Sequence, residues 1–211
     1  MAKKTQLRKH RSGRIINVTS KKQESDIIQA TNRAIAHLQN RFQNKLLLKH
    51  SNQWFLRDIV ADLRRFYPDV DFQYHFDTSA IRPDGGILHI EGTKEPTASY
   101  PILIAEVKNQ DTNDLRLQEG LPRQAKGNAI ERLGKNLIGF RTALIRETIF
   151  PFGCFGYGCA FETDSFILDL VSTMAMFGRL NNTYPHNQEG DTFDRGSFYF
   201  RPERWTVDRC F

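Results

Sequence analysis

The chain is predicted to be an α/β protein, one β-sheet covered by helices on both faces, and three observations carry that prediction. Segments with helical spacing stand before, between and after segments with strand character. The run YPILIAEVK, residues 100–108, is almost continuously apolar, the pattern of a central strand. At 211 residues and 39% hydrophobic, the chain can bury one respectable core, and its length favours a single domain.

The elements follow in order. Residues 1–22 hold eight lysines and arginines (Lys3, Lys4, Arg8, Lys9, Arg11, Arg14, Lys21 and Lys22) and no acid; the first acid is Glu24. This arm is therefore +8 and the remainder of the chain −2, so the net +6 lies wholly at the N-terminus. It is expected to be a flexible segment, either a solvated tail or an arm that neutralises phosphates, with residues 23–211 forming one domain. In ESDIIQATNRAIAHLQNRFQN, Ile27, Ile28, Ala34, Ile35 and Leu38 recur at helical spacing with Thr31 on the same face, and Ser25 or Asp26 offers a cap. A second helix is expected from Ser51 or Asn52 through WFLRDIVADLRRF, stopping at Tyr67 because Pro68 follows.

VDFQYHF alternates Val70, Phe72, Tyr74 and Phe76 with polar residues, the period of a half-buried strand, and GILHIEG continues that alternation. Residues 109–123 are polar and turn-rich, hence a loop. From Asn128 a helix pattern runs to about Glu147. PFGCFGYGCAF reads as a buried strand whose glycines invite close backbone approach, SFILDLVSTMAMFGRL as a helix, residues 181–196 as an exposed loop and SFYFRP as a last short strand.

Composition narrows the class. No apolar run approaches the roughly 20 residues that span a bilayer, and no apolar stretch follows the N-terminal charges as in a signal peptide. A cytoplasmic protein with no membrane partner is expected. The three cysteines, Cys154, Cys159 and Cys210, are an odd number without CxxC spacing and read as structural thiols. The six histidines form no HExxH, and no glycine-rich cofactor loop follows a strand as a methyltransferase would need.

Two clusters carry chemistry. If residues 86–92 and 100–108 pair as neighbouring strands, Asp84 and Glu106 converge at one end of the sheet, with Lys108 on the same face as Glu106. Mg²⁺ accepts one or two carboxylates, keeps several waters and takes the rest of its shell from a substrate phosphate. Among the 24 acids only Glu106 is followed two positions later by lysine. The plain alternative is a salt bridge at a strand end, with Asp84 serving the Asp-Gly-Gly turn. In QAKGNAIERLGKN, Asn128 as N-cap with Glu131 three residues on is a capping-box arrangement, and Gly127 lets the chain turn in. Capping does not account for Arg132, a cation in a first helical turn where the dipole disfavours it, nor for Arg123, Lys126 and Lys135 at the same end. A helix start surrounded by cations suits a phosphate or a base edge.

The runs SAIRPDGGILHIEG, PILIAEVKNQ and GNAIER, in this order and at this spacing, resemble the EcoRI-like type II restriction endonucleases of the PD-(D/E)xK nuclease superfamily over about residues 79–162. The resemblance implies a restriction-endonuclease-like core, a central mixed β-sheet flanked by helices, with the catalytic core at about residues 70–162. It implies Asp84, Glu106 and Val107 as Mg²⁺ ligands and Lys108 as the catalytic lysine. A recognition segment at about residues 123–136, partly extended and partly helical, would lie in the major groove. DNA contacts would come from Arg82, Lys126, Gly127, Asn128, Ala129, Glu131 and Arg132, with Glu131 bracing Arg132 and Arg179 standing for the family's downstream arginines. The implied activity is Mg²⁺-dependent cleavage of double-stranded DNA by a homodimer, at a palindrome with an AATT core, leaving 5′-phosphate ends and 5′ overhangs. A cognate DNA methyltransferase is expected in the same system. Two other functions stay open: a structure-specific or repair nuclease of the same superfamily, and a non-enzymatic DNA-binding protein whose acids are structural.

Overall fold

A computed structural model describes residues 16–43, 45–92, 99–123, 126–146, 151–161 and 198–211, with Ile167, Asp169, Leu170 and Thr173. Seven strands are present among them: β1 (Leu47–Ser51), β2 (Trp54–Phe55), β3 (Ala80–Ile81), β4 (Gly86–Glu91), β5 (Ser99–Asn109), β6 (Phe152–Tyr157) and β7 (Phe198–Arg201). Five build one sheet in the order β1-β4-β5-β6-β7, while β2 and β3 pair separately. The β1/β4 and β4/β5 ladders are antiparallel, whereas β5/β6 and β6/β7 are parallel, so the sheet is mixed. The parallel step from β5 to β6 requires a crossover, and helices α3 (Asp111–Gln118) and α4 (Lys126–Ala143) lie in it.

Alternation along β5 sorts its side chains onto two layers. Ala105 and Val107 face α1 (Ile16–Arg41) and pack with Ile27. Ile104 faces the other way, into a larger cluster where Leu133, Leu137 and Phe140 of α4, with Leu144 just past its end, meet Ile87, Phe152 and Cys154. These α4 positions fall at helical spacing, which is why one face is apolar. Full burial of an Ile, Leu or Phe contributes roughly 1.5–3 kcal/mol, so this layer is the main source of stability. Beside the edge strand β7, Gly156 of β6 has no room for a side chain: a Cβ there would lie 2.2 Å from the Phe200 ring. The C-terminal residues close the α1 side through an Arg204–Asp26 ion pair at 2.8 Å and a Trp205 Nε1 bond to the Gly156 carbonyl at 2.7 Å.

Several expectations need correction. Helix α1 begins at Ile16, so the end of the basic segment through Lys22 is helical and Ser25 and Asp26 are interior residues rather than caps; residues 1–15 lie outside the described residues. On its buried face Ala30 joins Ile27 and Thr31, and Ile28 is exposed. The second helix, α2 (Leu56–Phe66), ends before Pro68 as expected but starts later, because Trp54 and Phe55 pair with Ile81 and Ala80. Residues 70–76 are not a strand: Val70, Tyr74 and Phe76 are exposed, and the Phe72 carbonyl accepts from the Arg64 guanidinium instead of from a ladder. Alternation needs a partner to become a strand, and Leu47–Ser51 holds the place beside β4. The stretch 109–123 contains α3, whose inner side is polar: Asn113 is fully buried and Asp114 accepts the Cys159 N–H at 2.6 Å. Helix α4 starts at Lys126, so Asn128 is inside its first turn and not the N-cap, and it ends at Ala143. Most of residues 162–197, including Arg179 and the expected loop 181–196, lie outside the described residues. Among the described residues no helix is long and apolar enough to cross a membrane.

Candidate active site

Two glycines set the geometry of the turn Pro83-Asp84-Gly85-Gly86. Gly86 sits at φ +78°, a conformation L side chains rarely adopt, and a Cβ on Gly85 would lie 2.7 Å from Ala105 Cβ. The turn can therefore lie flat on β5. Gly85 N–H donates to the Ala105 carbonyl at 2.9 Å, and His50 Nε2 of β1 lies 2.9 Å from the Gly85 carbonyl. The β4/β5 ladder ends at Gly86–Ala105, which leaves the next inward-facing backbone group of β5, Val107 N–H, without a strand partner. Asp84 Oδ2 accepts it at 3.3 Å, and Glu106 Oε2 returns the contact by accepting Asp84 N–H at 3.0 Å. Because N–H and C=O of one strand residue lie on the same side, the Val107 carbonyl faces the Asp84 side as well.

Glu106 lies on the α4 side of the sheet and is 2% exposed. Its Oε1 accepts from Lys108 Nζ and, at 2.5 Å, from Asn136 Nδ2 of α4. Lys108 Nζ also lies 3.9 Å from Asp84 Oδ2, so the structure brings Asp84, Glu106 and Lys108 into one group. Burial pushes both carboxyls above the ordinary carboxylate range; Lys108 opposes the shift at each, and the nearby Asp84 adds to it at Glu106. Burial works against the charge on Lys108, but Glu106 and Asp84 outweigh it and hold its pKa above the usual lysine value. Two ionised carboxylates with one ammonium leave a negative charge uncompensated in a mostly buried corner. Among the described residues no group of three or more His, Cys, Asp or Glu could hold a metal by itself. Hard oxygen donors limited to two carboxylates fit Mg²⁺, which keeps waters and takes substrate oxygens, better than they fit zinc or an all-protein cage.

Of the other predicted residues, Arg132 is exposed on α4, yet its charge acts on Asp84 and favours the carboxylate. Glu131 pairs with Lys135 at 2.7 Å; no ion pair with Arg132 is present among the described residues. Arg82 bonds to Gln53 Oε1 at 3.0 Å and to the Thr78 carbonyl at 3.4 Å. For Lys126, Gly127, Asn128 and Ala129 the helical backbone is described and the side chains are not, and Arg179 lies outside the described residues. Three nearby residues escaped sequence reasoning. His50 reaches the Asp84 turn from β1; Glu24 on α1 is pushed up in pKa by partial burial and then by Asp84; and Asn136 bonds Glu106. Asn136 had a signal: with Leu133, Leu137 and Phe140 it occupies the inward stripe of α4, where a polar side chain needs a partner.

A mixed sheet ending in a turn-borne aspartate and a strand-borne Glu-x-Lys defines a nuclease-like α/β core. The family model for restriction endonuclease EcoRI matches residues 10–182, and the chain belongs to that family. It is 29% identical to the type II restriction enzyme RsrI of Cereibacter sphaeroides over 140 residues, 58% of this chain and 50% of the relative. It is 30% identical to the type II restriction enzyme EcoRI of Escherichia coli over 117 residues, 51% of this chain and 41% of the relative. The matches thus span half or less of each curated relative's length.

Proposed function

We propose that the chain is a type II restriction endonuclease, hydrolysing phosphodiesters of double-stranded DNA at a fixed sequence with Mg²⁺. The observation that carries this reading is the reciprocal bonding of Asp84 and Glu106 at the end of β5, with Lys108 against both. Asp84, Glu106 and the Val107 carbonyl would hold the ion. When bound, it neutralises phosphate charge and lowers the pKa of its water. The chain's own part is orientation: Glu106 is fixed by donors from three directions, and Lys108 offers an ammonium hydrogen bond to the attacking water or to a phosphate oxygen.

Base recognition is assigned to the start of α4, with Lys126, Gly127, Asn128, Ala129, Glu131 and Arg132 facing an inner AATT, and with Arg82 and Arg179 as further DNA contacts. The exposed Ile138 on the outer face of α4 and the exposed Ile145 just past its end support a surface that a second copy covers. A twofold dimer presents the same contacts to both halves of a palindrome. Such an enzyme works in the cytoplasm beside a cognate DNA methyltransferase, since an unprotected genome would be cut. Digesting a sequenced plasmid with Mg²⁺ and mapping the ends by run-off sequencing tests this. Discrete cuts at palindromes containing AATT, with 5′ overhangs, are expected. Cuts at sites lacking AATT would overturn the recognition assignment, and a smear would return the chain to the repair-nuclease class.

A further inference from the structure

The donors on Glu106 have two origins. Lys108 belongs to the same strand, and Asp84 N–H belongs to a turn bonded to that strand through Gly85 and Val107. Both move with β5. Asn136 is different: among the described residues it is the donor to Glu106 that comes from another layer, the helix α4. That helix begins with the GNAIER segment, and Asn136 follows Arg132 by four residues, one turn on the same face and about 6 Å along the axis.

We propose that Asn136 is a positioning residue that couples base recognition to cleavage: α4 seated on the sheet donates to the Glu106 carboxylate through Asn136, cognate DNA leaves that seat in place, and mismatched DNA shifts it. This rests on the reading of the chain as a restriction endonuclease. The geometry makes the contact sensitive. Asn136 Nδ2 lies 2.5 Å from Glu106 Oε1, so a shift of α4 by about 1 Å takes the pair past hydrogen-bonding distance. A helix transmits such a shift along its length, and the apolar stripe of Leu133, Leu137 and Phe140 on either side of Asn136 provides the surface on which it seats.

If Asn136 only satisfied a buried carboxylate, its loss would slow every substrate alike. If it couples, its loss slows the cognate site alone, because a mismatched site has already shifted α4 off Glu106. The test compares single-turnover cleavage of the mapped site and of single-base variants of that site by wild type, Asn136→Ala and Asn136→Ser, whose hydroxyl is too short to reach. Binding is measured separately by gel shift without Mg²⁺. Cognate cleavage should fall about 10- to 100-fold in both variants. Mismatched cleavage should change by less than about 3-fold and binding by less than about 2-fold, so discrimination collapses by the factor lost from the cognate rate. Equal loss on cognate and mismatched sites, or no loss in either folded variant, overturns the coupling while leaving the endonuclease reading intact. Wild type that cuts no DNA overturns both.

Discussion

The Asp84–Glu106–Lys108 corner and the start of α4 are both rich in charge, but they hold it differently. In the corner every charged group is at least half-buried and hydrogen-bonded: Asp84 to Val107 N–H, Glu106 to Lys108, Asn136 and Asp84 N–H. At the helix start, Glu131 and Arg132 are exposed, and the one ion pair described there, Glu131–Lys135, faces solvent. Under the proposed function, the contrast is a division of labour. A site that performs chemistry is preorganised before its substrate arrives, at the cost of burying carboxylates above their usual pKa. A surface that reads DNA keeps its donors in water until bases replace the water.

The largest effect expected from this contrast is in the corner. Asp84→Ala, Glu106→Ala and Lys108→Ala should each reduce cleavage by more than about 1000-fold in a folded protein that still binds DNA. A folded variant that cuts at near wild-type rate would remove that residue from the mechanism. At the helix start, Arg132→Ala should lower cognate cleavage by about 10- to 100-fold, the worth of one lost bidentate base contact, with non-specific binding little changed. Equal losses in specific and non-specific binding would make Arg132 a phosphate contact.

Smaller effects sharpen the comparison. Deleting residues 1–15, which carry six lysines and arginines ahead of α1, should flatten the slope of log K against log salt by up to about 0.9 for each phosphate contact removed, without changing the preferred sequence. An unchanged slope returns that segment to a solvated tail. In metal-free protein the raised pKa values of Asp84 and Glu106 mean that the folded state holds protons more tightly than the unfolded state does. Their contribution is therefore favourable at acid pH and lost as pH rises from the ordinary carboxylate range through the raised values. Asp84→Asn, which keeps an acceptor for Val107 N–H, should melt above wild type at neutral pH without metal, the gap closing on acidification and on addition of Mg²⁺. A gap independent of pH would mean that no charge strain is stored there. Glu131→Gln should leave the melting temperature unchanged, because its ion pair is fully exposed; a clear drop would show that the helix start depends on that pair.

What was legible in the sequence follows the range of the interaction involved. Asp84, Glu106 and Lys108 were legible because two-residue alternation puts Glu106 and Lys108 on one face, and a Gly-Gly turn carries Asp84 to the same end. Helix α2 stopped where proline required. Strand pairing is a long-range choice that alternation cannot decide, so residues 70–76 looked like a strand and Leu47–Ser51 did not. Helix α3 escaped because its buried side is Asn113 and its anchor is Asp114, leaving little apolar period to detect. Asn136 escaped for a related reason: its meaning lies in Glu106, thirty residues away in sequence and across a layer boundary.

The most direct test of the corner as a metal-dependent hydrolytic centre is single-turnover cleavage of one labelled duplex carrying the mapped site, by wild type and Glu106→Ala, from EDTA through rising Mg²⁺. Wild type should be silent in EDTA and rise to a saturating rate, while Glu106→Ala binds the duplex and cuts it at no Mg²⁺ concentration. Cleavage that persists in EDTA, or a folded Glu106→Ala that follows the wild-type curve, would contradict the account.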